Sequence, residues 1–194
     1  MAKVRESGMP EEAYWASFFD AQGALDRLLP IESKRKDMVE FGCGYGIFTI
    51  PAAQRTNGVV TALDIEPEMV RRVQTRAKAA GLGNVRAVLR DFIAEGTGLQ
   101  DGSQSHAMIF NLLHLDDPLI LLREAKRVLH LGGTVSVIHW RSDVPTPRGP
   151  PLAIRPTPQQ CHKWMIETGF VHVRIVDLEL CCPYHFGLVG RRGA

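Results

Sequence analysis

Five short apolar runs, each separated from the next by a stretch of helical character, constrain this chain more than any other feature. They are residues 37–41 (DMVEF), 58–64 (GVVTALD), 85–91 (VRAVLRD), 105–113 (SHAMIFNLL) and 133–140 (GTVSVIHW). Their apolar and β-branched content suits strands buried on both faces of a parallel sheet. Between them, residues 67–80 place Met69, Val70 and Val73 on one helical face, open at Pro67 and stop at Gly81. Residues 117–130 repeat that plan, with Pro118 near the start and Gly132 past the end. Residues 157–168 open with Thr157 and Gln160 at capping-box spacing and stop at Gly169. Pro51 falls inside the helix expected after the first run and predicts a kink or a displaced start. Two more runs, 171–180 and 185–192, are joined by a connection too short for a crossover, so they should pair antiparallel. The expected fold is a doubly wound α/β sheet of seven strands, mostly parallel, with an antiparallel last strand.

At 194 residues the chain has the length of a single domain, 1–194. Apolar residues at 45% and charged residues at 23% support a packed core rather than disorder. A net charge of +2 is too balanced for a protein built to grip a phosphate backbone, so nucleic acid is not the expected partner. No apolar run reaches the roughly 18–20 residues of a membrane span. The opening MAKVRESGMPEEAYW lacks an apolar signal core, and a cytoplasmic location is expected. Cys43, Cys161, Cys181 and Cys182 have neither disulfide-framework nor zinc-site spacing, so no metal is expected. A buried structural role is the common one for such cysteines, and a thiol-rich site is the rarer alternative.

The motif with the most chemical content is Val39-Glu40-Phe41-Gly42-Cys43-Gly44-Tyr45-Gly46, at the end of the first strand and ahead of a helix. Glycines there permit a tight turn and close approach of a ligand to the backbone. Asp64 ends the second strand about 20 residues further on, where an acid can accept hydrogen bonds from ribose hydroxyls. Asp91 follows the third strand and is placed to accept from an exocyclic adenine amine. The G-x-G-x-G spacing departs from the dinucleotide pattern G-x-G-x-x-G, which argues against a nicotinamide or flavin dehydrogenase.

With these motifs the chain resembles the class I, Rossmann-like S-adenosylmethionine-dependent methyltransferases. The resemblance runs from about residue 37 to the end, through VEFGCGYG, VVTALDIEPEMV, RDF and NLLHLDDPLILLREAKRVLHLGGTVSV. It implies S-adenosyl-L-methionine as cofactor and S-adenosyl-L-homocysteine as product. It also implies that Glu40, Gly42, Cys43, Gly44 and Gly46 cradle the methionine part of the cofactor. Asp64 would hold the ribose, with Ile65 beside the adenine. Asp91 would read the adenine amine with Phe92 packed nearby, and Asn111 would follow the fourth strand. The flavour is that of quinone-biosynthesis-like and other small-molecule methyltransferases. His130-Leu131-Gly132-Gly133 departs from the Pro-Gly-Gly common in relatives, which touches turn geometry.

Methyl transfer needs alignment and exclusion of water, and a base only where the acceptor must lose a proton. His114, three positions after Asn111, is the candidate base; its alternative role is a pocket wall or helix cap. His139, near the end of the fifth strand, is either a substrate contact or a structural histidine. The proline-rich 141–158 loop follows, and its Arg148 and Arg155 either bind an anionic small-molecule acceptor or pin the loop. Residues 1–30 form a helical packing segment or a lid, with Tyr14, Trp15, Phe18 and Phe19 at helical spacing. The expected function is methyl transfer to a small molecule. RNA or protein methylation and non-catalytic cofactor binding stand as the alternatives, because a fold does not by itself give an activity.

Overall fold

The computed structural model describes residues 9–29 and 36–194. Its strands are β1 (Met38–Phe41), β2 (Val60–Asp64), β3 (Val85–Leu89), β4 (Gln104–Phe110), β5 (Leu129–Trp140), β6 (Phe170–Val176) and β7 (His185–Arg192). They form one sheet in the order β3-β2-β1-β4-β5-β7-β6. Pairings among β1–β5 are parallel, and β7 runs antiparallel to both β5 and β6. The expected architecture is therefore the observed one. Chain order reverses between β1 and β4, and the crevice outside their carboxyl ends is where open α/β sheets bind ligands.

Six helices accompany the strands among the described residues: α1 (Glu12–Ala16), α2 (Ala21–Leu28), α3 (Thr49–Gln54), α4 (Pro67–Ala79), α5 (Leu119–Val128) and α6 (Pro158–Glu167). Alternate side chains of the strands divide the core in two. Val39, Phe41, Ala107, Ile109, Val135 and Val137 pack with α5 and α6. Met38, Val60, Met108, Phe110 and Ile138 pack with α2 and α3. Thr157 and Gln160 form the reciprocal capping box at the start of α6.

Several boundaries differ from expectation for identifiable reasons. Of the aromatic stripe of residues 9–20, Tyr14 and Trp15 lie on α1, and the helical spacing does not continue through Phe18 and Phe19. Asp20 accepts from the Gly23 amide as the cap of α2, which places Phe18 and Phe19 in the turn between helices. Residues 1–8 and 30 of the expected 1–30 segment lie outside the described residues. Pro51 falls in the first turn of α3, where a missing N–H breaks no helical bond, so the helix starts late and unkinked at Thr49. Helix α5 stops at Val128 rather than 130. There Arg192 donates to the carbonyls of Arg127 (3.2 Å) and Leu129, taking up groups the helix end leaves unpaired. The stretch expected as a helix–strand turn around Gly132 is instead a bulge inside β5, between the pairs Gln104–Leu129 and His106–Thr134. At its other end β6 stops at Val176, because Asp177 turns the chain by accepting from the Glu179 amide at 2.9 Å.

Candidate active site

The glycine loop leaves β1 at the switch point. Gly44 and Gly46 adopt φ of +50° and +76°, which L side chains rarely do. A Cβ on Gly46 would stand 3.0 Å from Val73 Cγ2 of α4, so the turn also sets how closely helix and loop pack. The Cys43 amide donates to the Leu63 carbonyl at 2.9 Å, and Gly44 N–H donates to Asp64 Oδ2 at 2.8 Å. Asp64 Oδ1 accepts from Glu66 N–H at 3.0 Å, just ahead of α4. One carboxylate thus ties the β1 loop to the β2 turn. Burial raises its pKa, and the backbone N–H groups partly offset that rise.

Glu40 points toward α3, where its Oε2 accepts the hydroxyl proton of Thr49. Burial and the nearby Asp64 charge push its carboxyl up to about 8, the Thr49 bond opposing them. Ile65 is half-buried beside Asp64. Arg90 N–H donates to the Asp64 carbonyl at 2.7 Å, which sets Asp91 next to that strand end. Asp91 lies two residues past β3, and its Oδ1 receives the Ile93 and Ala94 amides at 3.2 and 3.0 Å. Phe92 is buried edge-on against Phe41, their ring centroids 5.5 Å apart, and belongs to the sheet core.

On the other side of the switch point, Asn111 directly follows β4 in the left-handed region at φ 59°. Asn tolerates that conformation better than most residues. Its N–H donates to the Ile138 carbonyl at 2.7 Å, and its Oδ1 is buried without a hydrogen-bond partner. A buried, unpaired amide oxygen is costly, so a donor that arrives from a ligand fits this position. Together with the glycine cradle, it makes the crevice a fit for a molecule bearing amine or hydroxyl donors.

His114 lies just beyond Asn111 and meets His139 across the strand ends, with Nδ1 of one 3.2 Å from Nε2 of the other. His139 is fully buried, which favours the structural-histidine alternative over a substrate contact. Burial first, and then the neighbouring His114 and Arg155, hold its pKa down to about 3. Arg155 follows the loop-pinning alternative. It donates to the carbonyls of Pro150 (2.7 Å), Arg141 (2.9 Å) and Arg148 (3.2 Å) and to the Thr146 hydroxyl (2.7 Å). With four bonds to the loop's own atoms it is a pin, as a rigid guanidinium fork in a proline-rich loop readily becomes. Arg148 is half-buried on the same loop.

Several residues at the site carry no motif. Pro10 accepts the Tyr45 hydroxyl proton at 2.7 Å, and the Met9 methyl stands 3.2 Å from where a Gly44 Cβ would be. Glu12 pairs with Arg72 and Arg76 of α4, both at 2.9 Å. The chain just before α1 thereby lies across the glycine loop. Trp15 and Phe18 continue onto Trp140 at 6.1 and 5.4 Å between ring centroids, and His185 stacks on Trp140 at 4.1 Å. The aromatic spacing of residues 14–19 was the only sequence signal for these contacts. The four cysteines are free and buried, and Cys161 lies in α6, apart from the adjacent Cys181 and Cys182.

Residues 38–133 match a family model described as a methyltransferase domain. An O-methyltransferase by name, from Mycobacterium sp. (strain KMS), is 30% identical over 122 residues, covering 61% of this chain and 54% of that protein. The chain thus spans about half the length of that relative. The crystal structure of a SAM-dependent methyltransferase from Aquifex aeolicus superimposes with a TM-score of 0.76 at 21% identity, covering 93% of each chain. Geranyl diphosphate C-methyltransferase from Streptomyces coelicolor A3(2) superimposes with a TM-score of 0.71 at 18% identity, over 93% of this chain and 77% of that one. At those identities the two structures show likeness of fold. The strand order, the glycine loop bonded to its second-strand acid, and the matched domain agree: residues 38–133 match a methyltransferase domain, and the chain has the fold of the class I S-adenosylmethionine-dependent methyltransferases.

Proposed function

We propose that this chain moves the methyl group of S-adenosyl-L-methionine to a hydroxyl of a small acceptor that carries an anionic group. The observation that carries the reading is the pairing of a tied acid and an unsatisfied amide across the switch point. Asp64 is fixed on Gly44 on one side, and the buried Asn111 Oδ1 awaits a donor on the other. The cofactor, when bound, supplies a methyl group on a sulfonium that is already a good leaving group. The chain's residues then have three tasks: holding the cofactor, keeping water out, and taking the acceptor's proton.

For the first task we assign Glu40, Gly42, Cys43, Gly44 and Gly46 to the methionine part, and Asp64 to the ribose. Ile65, Asp91 and Phe92 are assigned to the adenine side, and Asn111 to the reacting end. We read the chain as one methyltransferase domain in which residues 9–29 serve as the lid. The contacts of Met9, Pro10 and Glu12 with the glycine loop and α4 support that role. The 141–158 loop forms the acceptor rim, with Arg148 facing the acceptor's anion and Arg155 holding the loop's shape. A hydroxyl acceptor must lose its proton, which gives His114 a task as general base. Relatives named as O-methyltransferases agree with that choice.

The test is transfer of label from methyl-labelled S-adenosylmethionine to a panel of small phenols and alcohols, each with and without a carboxylate or phosphate. Label should enter the anionic members, and Arg148→Ala should raise their KM about tenfold or more, from the loss of a charge-assisted bond. Tight cofactor binding with no transfer to any member would overturn the enzymatic reading.

A pH effect on cofactor binding is also expected. Glu40 titrates near 8 without ligand, so at pH 7 it holds a proton. A cationic amine placed beside it favours the ionised form, so binding below pH 8 releases a proton. Affinity therefore rises with pH, by at most about tenfold per unit, and levels off above 8. Calorimetry at pH 7 in buffers of differing ionisation enthalpy should count close to one proton released by the wild type and none by Glu40→Gln.

A further inference from the structure

We propose that His139 is a positioning residue that locks His114 into the Nδ1–H tautomer, placing the lone pair of the base on Nε2. The proposal deepens the hydroxyl-acceptor reading and rests on it for its catalytic meaning. Its structural content stands apart and is measurable without an acceptor.

The chain of hydrogen bonds has only one consistent direction. His139 Nδ1 lies 3.3 Å from the Trp140 carbonyl oxygen. A carbonyl has no proton to give, so Nδ1 of His139 must carry the hydrogen. In a neutral ring Nε2 then holds the lone pair. Nε2 faces His114 Nδ1 at 3.2 Å, so His114 must be the donor at that nitrogen. The neutral His114 ring is left with its lone pair on Nε2, the nitrogen that takes a proton.

The same geometry decides which histidine becomes charged. Besides the Trp140 carbonyl, the groups that face His139 are His114 from the loop after β4, Arg155 from the 141–158 loop, and His185 from β7, whose own charge His139 opposes. All three are neutral or positive. With its ring fully buried, His139 stays neutral through the physiological range, since its pKa is held down to about 3. In the proton step the acceptor's O–H proton passes to His114 Nε2, and the bonding pair stays on oxygen. The imidazolium formed keeps its Nδ1–H on the His139 lone pair, so the contact that orients the base survives in both protonation states. The proton later leaves Nε2 for solvent. His139 touches no reacting atom and acts only through His114.

The test is long-range proton–nitrogen NMR on protein labelled with nitrogen-15 in its histidine rings, with His114 and His139 assigned by single substitutions. In the wild type both rings should show the Nδ1–H tautomer at neutral pH, and His139 should not titrate down to pH 5. His139→Phe should release His114, so that its Nδ1–H share falls from nearly all to a minority. His139→Gln, whose amide oxygen reaches about where Nε2 sits, should restore it. A wild-type His114 protonated at Nε2 overturns the proposal, and so does a Phe variant that keeps the wild-type share of the Nδ1–H tautomer or a Gln variant that fails to restore it. The wild-type spectrum decides on its own if a variant fails to fold. Calorimetry with S-adenosylhomocysteine on the same samples separates the two readings. Absent binding removes the methyltransferase function while the tautomer result stands.

Discussion

Asp64→Ala should weaken binding of S-adenosylhomocysteine by about 10- to 100-fold or more, because hydrogen bonds to a charged carboxylate contribute about 1.5–3 kcal/mol each. The loss has two sources. One is the ribose contact assigned to this acid. The other is local, since Asp64 now accepts from the Gly44 and Glu66 amides at 2.8 and 3.0 Å, and both donors would be left facing the crevice. Asp64→Asn separates them. It keeps an oxygen acceptor for one of the two amides but removes the charge, so it should fall between wild type and Ala. Titration calorimetry gives the affinities, and thermal unfolding without ligand gives the local share. Affinity within twofold of wild type in the Ala variant would contradict the site.

Trp140→Ala should destabilise the protein by about 3–5 kcal/mol, the usual cost of emptying a buried aromatic site. For a domain of this length that is a fall in Tm on the order of 10 °C. Trp140 is 2% exposed, and Trp15, Phe18 and His185 rest on its ring while Arg155 stands 5.9 Å from the centroid. It joins the N-terminal helices, the end of β5, the start of β7 and the rim loop. The truncation should also free residues 9–20 for proteolysis, because two of that segment's aromatic contacts go with the ring. Trp140→Phe keeps a stacking partner and should lose less than half as much. Equilibrium unfolding in urea checks the energies, and a loss below about 1 kcal/mol in the Ala variant would show that the cluster does not depend on Trp140.

The parts of the fold that local chemistry dictates were readable from the chain. The buried strands announce themselves by continuous apolar runs, and α6 by Thr157 and Gln160 at its start. The short connection between the 171–180 and 185–192 runs leaves no room for a crossover, so β6 and β7 pair antiparallel. What escaped was decided by residues far apart in sequence. Helix α5 ends early because Arg192, from β7, takes its last carbonyls. The helical spacing of Tyr14, Trp15, Phe18 and Phe19 is interrupted because α1 ends at Ala16 and Asp20 caps a new helix, α2. The crevice at the switch point was legible because Gly44, Asp64 and Asn111 lie at or just past the carboxyl ends of β1, β2 and β4, and parallel strands end on one edge. The side proposed for the acceptor was not. His114 and His139 are 25 positions apart and meet only once β4 and β5 are paired. Arginine in a loop reads alike whether it binds a ligand or its own backbone, and only the distances assign Arg155 to the backbone.

Under the proposed reading, in which the 141–158 loop is the acceptor rim, that assignment changes how selectivity in this protein should be approached. A loop whose shape is held by its own arginine is finished before any acceptor arrives. Ordering entropy is then spent during folding and not charged against each encounter. Discrimination among acceptors becomes a question of which outlines the rim refuses, more than of which contacts it forms on closing. A library that seeks a new acceptor should leave Arg155 and its carbonyl partners alone. The exposed rim position Leu152 is the one to vary, since an altered outline there leaves the scaffold of the loop standing.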